Sequence, residues 1–191
     1  MSRNYKNVIN ARGTADWVQR EFLKDSELTQ MRAARATTEI GVGAIKSAGL
    51  WSALAFILSL AWEIGHVRLY SIWREADGLH IAWSLFHCSL GDVLIALSTF
   101  ALAALVLRRV DWPRSQPWAG GAIAVTGAMS FTAWSELHNV YHTGAWSYTA
   151  DMPTVYGVGL SPLLQWLVIP SLMVLAYRAA LPVHARYHRS Q

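Results

Sequence analysis

A single cysteine, Cys88, leaves no possibility of an intramolecular disulfide or of a multi-cysteine zinc or iron–sulfur site. Charge is scarce as well: 15% of the residues are charged against 53% hydrophobic, a balance too apolar for an ordinary soluble domain. The first 40 residues lack a continuous apolar core with a small-residue cleavage site, so no cleaved signal peptide is expected. The first membrane helix would then serve as an uncleaved insertion signal. There is no basic patch interleaved with aromatic rings. The formal net charge of +4 gathers beside apolar segments instead, which argues against nucleic acid and for membrane orientation. Internal repeats and low-complexity tracts are missing too.

What is present is four apolar stretches, about 49–70, 84–107, 118–142 and 161–181. Each is about 20 residues or longer, enough for a hydrocarbon core of ~30 Å. The expected fold is therefore all-α: a polytopic membrane protein with four transmembrane helices in a bundle. Ser84 is placed to cap the second helix, and Arg108 with Arg109 to stop it. Pro117 and Gly144 stand at the entrance and exit of the third, the positions helices prefer for those residues. Pro170 inside the fourth predicts a kink. Ten tryptophans fit this picture, with Trp51, Trp73, Trp83, Trp112, Trp118 and Trp146 expected as interfacial anchors.

Eight lysines and arginines precede the first span, two lie in or beside the first connection, three in the second, none in the third, and three follow the last span's core. By the positive-inside rule both termini face the cytoplasm, which an even number of spans requires. Three regions follow. Residues 1–47 form a basic cytoplasmic segment, either a surface-lying amphipathic helix carrying Trp17, Val18, Phe22, Leu23, Leu28 and Met31 or a partly disordered tail. Residues 48–182 form the transmembrane domain, and 183–191 a cytoplasmic tail. A multi-pass protein of a bacterial inner membrane is expected.

Ionisable and amide side chains collect toward one end of every span: Glu63 and His66, His87 and Asp92, Glu136, His138, Asn139 and His142, and Gln165. At 1.5 Å per residue, Glu63, Asp92, Glu136 and Gln165 lie roughly 6 to 12 Å inside the outward ends of their helices. Ser59, Glu63 and His66 share one face of the first helix, and Cys88, Asp92 and Thr99 one face of the second. Thr132, Glu136, Asn139 and Thr143 make a stripe on the third, with Ser135, His138 and His142 beside it. Glu136 and His138 are roughly 200° apart on an ideal helix, so both turn to one centre only if the helix loosens there.

Several chemistries suit such a cluster. Glu63-Ile64-Gly65-His66 is a Glu-x-x-His pair of the kind that two-metal carboxylate bundles use, but the matching position on the third helix is Asn139 and the fourth helix offers Gln165, so the dinuclear set is incomplete. A mononuclear divalent site for zinc, copper or iron would draw on Glu63, His66, His87, Asp92, Glu136 and His142, with His138, Asn139 and Gln165 in support. Haem b between two histidines is a weaker fit, because the candidates crowd the outer surface among carboxylates. Glu63 or Glu136 in an apolar pocket also suits acid catalysis on a lipid, with a histidine resupplying the proton. The plain alternative is an interhelical hydrogen-bond network, worth only about 0.6 to 2 kcal/mol per polar contact. Carboxyl groups are a costly means to that end, at roughly 2.5 to 3.5 kcal/mol each on insertion scales. A different class of function is a non-catalytic accessory subunit that binds a larger membrane complex through its apolar faces and basic tail; a membrane-protein partner or a homo-oligomer is expected alongside membrane lipids.

Trp62-Glu63, His87-Cys88 with Gly91-Asp92, Ser135-Glu136, Trp146 with Tyr148, Met152-Pro153 and the run from Gly159 to Trp166 resemble a group of small four-helix bacterial membrane proteins that bring no known activity. The resemblance covers about residues 50 to 180. Glu136, Trp146, Tyr148 and Trp166 are also similar in pattern to integral-membrane carotenoid cyclases and hydratases, which implies a lipid or isoprenoid substrate.

Overall fold

The computed structural model describes residues 4–180; the expected 183–191 tail lies outside them. The chain divides into two compact units, residues 1–45 and 46–191, and helix α1 (Asn4–His66) contributes to both. In the first unit the chain is helical from Asn4, and Phe22, Leu23, Leu28 and Met31 expose their side chains.

In the second unit, α1 ends at His66 and passes through a 3-10 turn, Val67–Leu69, and a short α2, Ile72–Glu75. Helix α3, Gly78–Leu107, begins six residues before Ser84. Its cap is Asp77, whose carboxylate accepts from the His80 N–H at 2.8 Å, satisfying one of the free amides of the first turn. Arg108 ends it in the left-handed conformation, φ 53°. After a single turn, α4 (Trp112–Ser115), helix α5 runs Pro117–Leu137 with proline in its first turn as expected. It loosens into a π-helical turn, His138–Thr143, and stops at Gly144, φ 64°. A two-residue hairpin follows, β1 (Thr154–Val155) paired antiparallel with β2 (Val158–Gly159). Tyr156 and Gly157 turn it with positive φ at both positions, the twist that tight hairpins favour. Helix α6, Leu160–Ala180, carries Pro170 inside it.

Among the described residues, three stretches are long and apolar enough to cross a membrane: Ile45–Leu69, Gly78–Leu107 and Leu160–Ala179. Helix α5 is as long as α6, about 30 Å at helical rise, but richer in glycine, serine and threonine. It packs against both α3 and α6.

The core lies toward the end of the bundle where α4 tucks in. Trp51 donates its indole N–H to the Ala96 carbonyl at 3.1 Å, and Trp112 donates to the Phe100 carbonyl at 3.2 Å. Those bonds let two large rings be buried without an orphaned donor. Trp51 and Trp112 are therefore core residues and not interfacial anchors, packed edge-to-face at 5.4 Å, whereas Trp73, Trp83 and Trp118 are exposed. Phe100 and Tyr177 complete the aromatic cluster, and the Tyr177 hydroxyl bonds Ser47 Oγ at 2.7 Å. Small residues on the facing helices, Ala96 and Ala103 on α3 and Gly120, Ala124 and Ala128 on α5, are buried where the backbones approach.

Candidate functional site

The opposite end of the same unit is polar. Four segments build it: the end of α1, the middle of α3, the end of α5, and the chain from 144 into the first turns of α6. Because Glu63 and His66 are three residues apart on a helix, their side chains meet, and Glu63 Oε2 lies 3.0 Å from His66 Nε2. The other ring nitrogen, Nδ1, lies 2.8 Å from Ser161 Oγ. His66 is buried, and its ring stands edge-on to Tyr70, with 5.4 Å between centroids.

Glu136 is also buried and is clasped by two phenols. The Tyr70 hydroxyl approaches both of its oxygens at 3.3 Å, and the Tyr148 hydroxyl donates to Oε2. The Gly159 N–H donates to the Tyr148 oxygen at 2.9 Å, which fixes the phenol from behind. Burial first, and its bond to Glu136 second, hold the Tyr148 hydroxyl well above the usual phenol range, so it remains a donor at neutral pH. The Trp146 indole N–H adjoins the same carboxylate with no hydrogen-bond partner of its own. On α3 and α6, Gln165 donates from Nε2 to Asp92 Oδ2 at 2.6 Å, and the buried Ser59 Oγ adjoins Asp92. These pairs are neighbours: Glu63 is within electrostatic reach of Asp92, and His66 of Glu136.

An ordered strap covers this end. The Ser71 N–H donates to the Ser147 carbonyl at 2.9 Å, and the Thr149 N–H to the Leu69 carbonyl at 2.9 Å. Tyr70 and Tyr148 pair between them as an isolated antiparallel bridge. Ser147 Oγ donates to Ser71 Oγ at 2.8 Å. Tyr141 bonds the Gly157 carbonyl at 2.9 Å, tying the hairpin to the π-helical turn.

Comparisons with family models, curated proteins and solved structures return no match. The reading of this site therefore rests on its own geometry.

Of the side chains singled out in the sequence, Glu63, His66, Asp92, Glu136 and Gln165 come together, and His87, His138 and His142 do not join them. His87 is exposed and stacks on Trp83. His138 stacks on Trp134 with centroids 5.4 Å apart, and His142, exposed, lies against His138 at 5.3 Å. Asn139 turns back on its own helix, donating to the Ser135 carbonyl at 2.8 Å. Among the described residues, no three His, Cys, Asp or Glu side chains converge as a ligand set for a metal ion.

Sequence reasoning missed Tyr70, Tyr148 and Ser161 as members. Tyr70 had a signal, since it stands four residues beyond His66 and extends the Ser59, Glu63, His66 stripe. Tyr148 stood out only through the resemblances that group it with Glu136 and Trp146, and Ser161 only as the start of the fourth stretch and part of the run from Gly159 to Trp166.

Proposed function

We propose that this is a four-span protein of a bacterial inner membrane, with both termini in the cytoplasm, whose outward-facing centre works by acid/base chemistry on a lipid-soluble or periplasmic substrate. Three helices meet the length and apolarity of spans, and α5 is lodged between two of them. The distribution of lysine and arginine sets the direction.

The observation that carries the chemistry is a buried glutamate held by two tyrosine hydroxyls beside a Glu–His pair. A carboxylate that only stapled helices together would be matched by simpler donors. Here Glu136 meets two hydroxyls that can each donate and accept a hydrogen bond, and His66, whose imidazole can carry its proton on either nitrogen, lies beside it. Such a set relays protons to and from a substrate held against it. Glu136 is the acid/base group in contact with substrate, Tyr70 and Tyr148 position and recharge it, and Glu63 sets the tautomer of His66. The ligand-set geometry favours this over the divalent-metal reading, in which His87 and His142 would have to turn inward.

The test compares the lipids and periplasmic extracts of cells producing the wild-type chain with those producing Glu136→Gln, by untargeted mass spectrometry. At least one species changes with the wild-type protein and not with the variant, the expected loss of turnover being 100-fold or more, on the order of a general acid/base contribution. Indistinguishable profiles would defeat the proposal. Stoichiometric zinc, copper or iron in the purified protein, lost in Glu63→Ala, would return the site to metal chemistry.

A further inference from the structure

We infer that Ser161 is a nucleophile, with His66 as its base, and that it transfers acyl groups from an ester embedded in the outer leaflet, an assignment that goes beyond the acid/base role given to Glu136. Several serines and threonines elsewhere in these helices turn back on their own backbone, although Ser59 does not and Ser47 also accepts from Tyr177. Ser52, Ser89, Ser130 and Ser171 each bond the carbonyl four residues earlier at 2.8 Å, and Thr99 does so at 2.9 Å. Ser161 departs from that habit. Its hydroxyl reaches across 95 residues of sequence to His66 Nδ1, and the far nitrogen of that ring meets Glu63. Serine, imidazole and carboxylate thus stand in line, each within hydrogen-bond distance of the next, the arrangement that activates a hydroxyl for attack.

The local environment supports each role. With Glu63 as carboxylate at Nε2, the imidazole keeps its proton there and leaves Nδ1 as the acceptor of the serine proton. His66 is buried, which fixes the ring, whereas Ser161 remains partly accessible, as a group that must meet substrate needs to be. Two amides at the start of α6 are already engaged, the Gly159 N–H by the Tyr148 oxygen at 2.9 Å and the Leu160 N–H by the Pro153 carbonyl at 2.8 Å, which leaves the Ser161 N–H to favour the negative charge of a tetrahedral intermediate. Pro162 has no N–H to add and holds the turn.

In the first step Ser161 Oγ bonds the ester carbonyl carbon while its proton passes to His66 Nδ1. The carbon–oxygen bond to the alcohol then breaks, and the alcohol departs with that proton, leaving an acyl-serine. In the second step water, or the hydroxyl of an acceptor, bonds the acyl carbon as its proton passes to His66 Nδ1; the bond from that carbon to Ser161 Oγ then breaks and Oγ takes the proton, which restores the serine and releases the acid or the new ester. No electrons are transferred and no other reactant is needed. The depth fits the substrate, because the outward end of a span lies at the boundary between headgroups and chains, where the ester carbonyls of lipids lie.

The experiment treats the full-length protein in detergent micelles with a long-chain alkyl fluorophosphonate, whose phosphorus takes the place of the carbonyl carbon and whose fluoride leaves. Intact mass should show one phosphonyl group per chain, mapped by peptide sequencing to Ser161. The labelling rate should fall at least about 100-fold in His66→Ala and about 10-fold in Glu63→Gln, whose amide keeps the shape of the carboxylate. Wild-type protein that gains no adduct, or gains it at another residue, overturns the nucleophile assignment whether or not any variant folds. That failure is separable from failure of the acid/base reading, because the lipid comparison above turns on Glu136.

Discussion

Asp92 and Gln165 show what a single polar contact does when both partners sit among helices. Gln165 is buried, and its amide satisfies Asp92 at 2.6 Å. Gln165→Leu leaves that carboxyl without its donor and should lower stability by about 1 to 3 kcal/mol, the usual penalty for orphaning a buried polar group. Replacing both residues by leucine should recover most of the loss, since no polar group is then stranded. Thermal unfolding in detergent, followed by circular dichroism, reads the difference; a double variant no better than the single one would refute the account. That both groups belong to the polar end was expected from their depth; that they pair was not. The histidines were not, for reasons of angle: His87 precedes Asp92 by five residues and so faces roughly 140° away on the same helix. His138 is two residues from Glu136, and the looser turn that begins there carries it against Trp134 without bringing it into the cluster.

Among the elements, α4 and α5 approach closely at Gly120. A methyl group built on Gly120 would fall 2.0 Å from Trp112 Cε3, while one on Gly121 meets nothing within 4 Å. Alanine raises helix propensity by roughly 1 kcal/mol over glycine at either position. At Gly121 that gain should stand. At Gly120 it should be outweighed by overpacking of about 1 to 3 kcal/mol or more, because a fully buried indole has nowhere to move. Opposite signs of the shift in melting temperature for Gly120→Ala and Gly121→Ala test this, and equal shifts would show that the two helices separate freely. Helix existence was readable from apolar runs and from proline and glycine punctuation, as at Pro117 and Gly144. The start of α3 was not, because hydropathy marks where a helix becomes apolar and passes over its polar first turns from Gly78.

For the molecule as a whole, the proposed four-span topology makes a prediction about sides. In a Cys88→Ser background, Ala150→Cys should react in intact cells with a membrane-impermeant maleimide, and Ser115→Cys should react only after the membrane is opened. Both positions are exposed, so access to solvent does not confound the comparison. Reversed labelling would invert the protein and place its polar end in the cytoplasm. The helical class and the membrane-length segments were plain in composition, which is set by the solvent the chain must satisfy. The tyrosine clasp was hidden because it depends on how a short hairpin returns the chain, and no periodicity records that.

The pairing of Ser71 with Ser147 and of Leu69 with Thr149 has a bearing on traffic. A reactant that reached Glu136 through that seam would have to part those bonds and draw Tyr148 away from the carboxylate. One that came by another path would leave the seam shut, so under the proposed chemistry the direction of approach decides whether the catalytic clasp is kept whole.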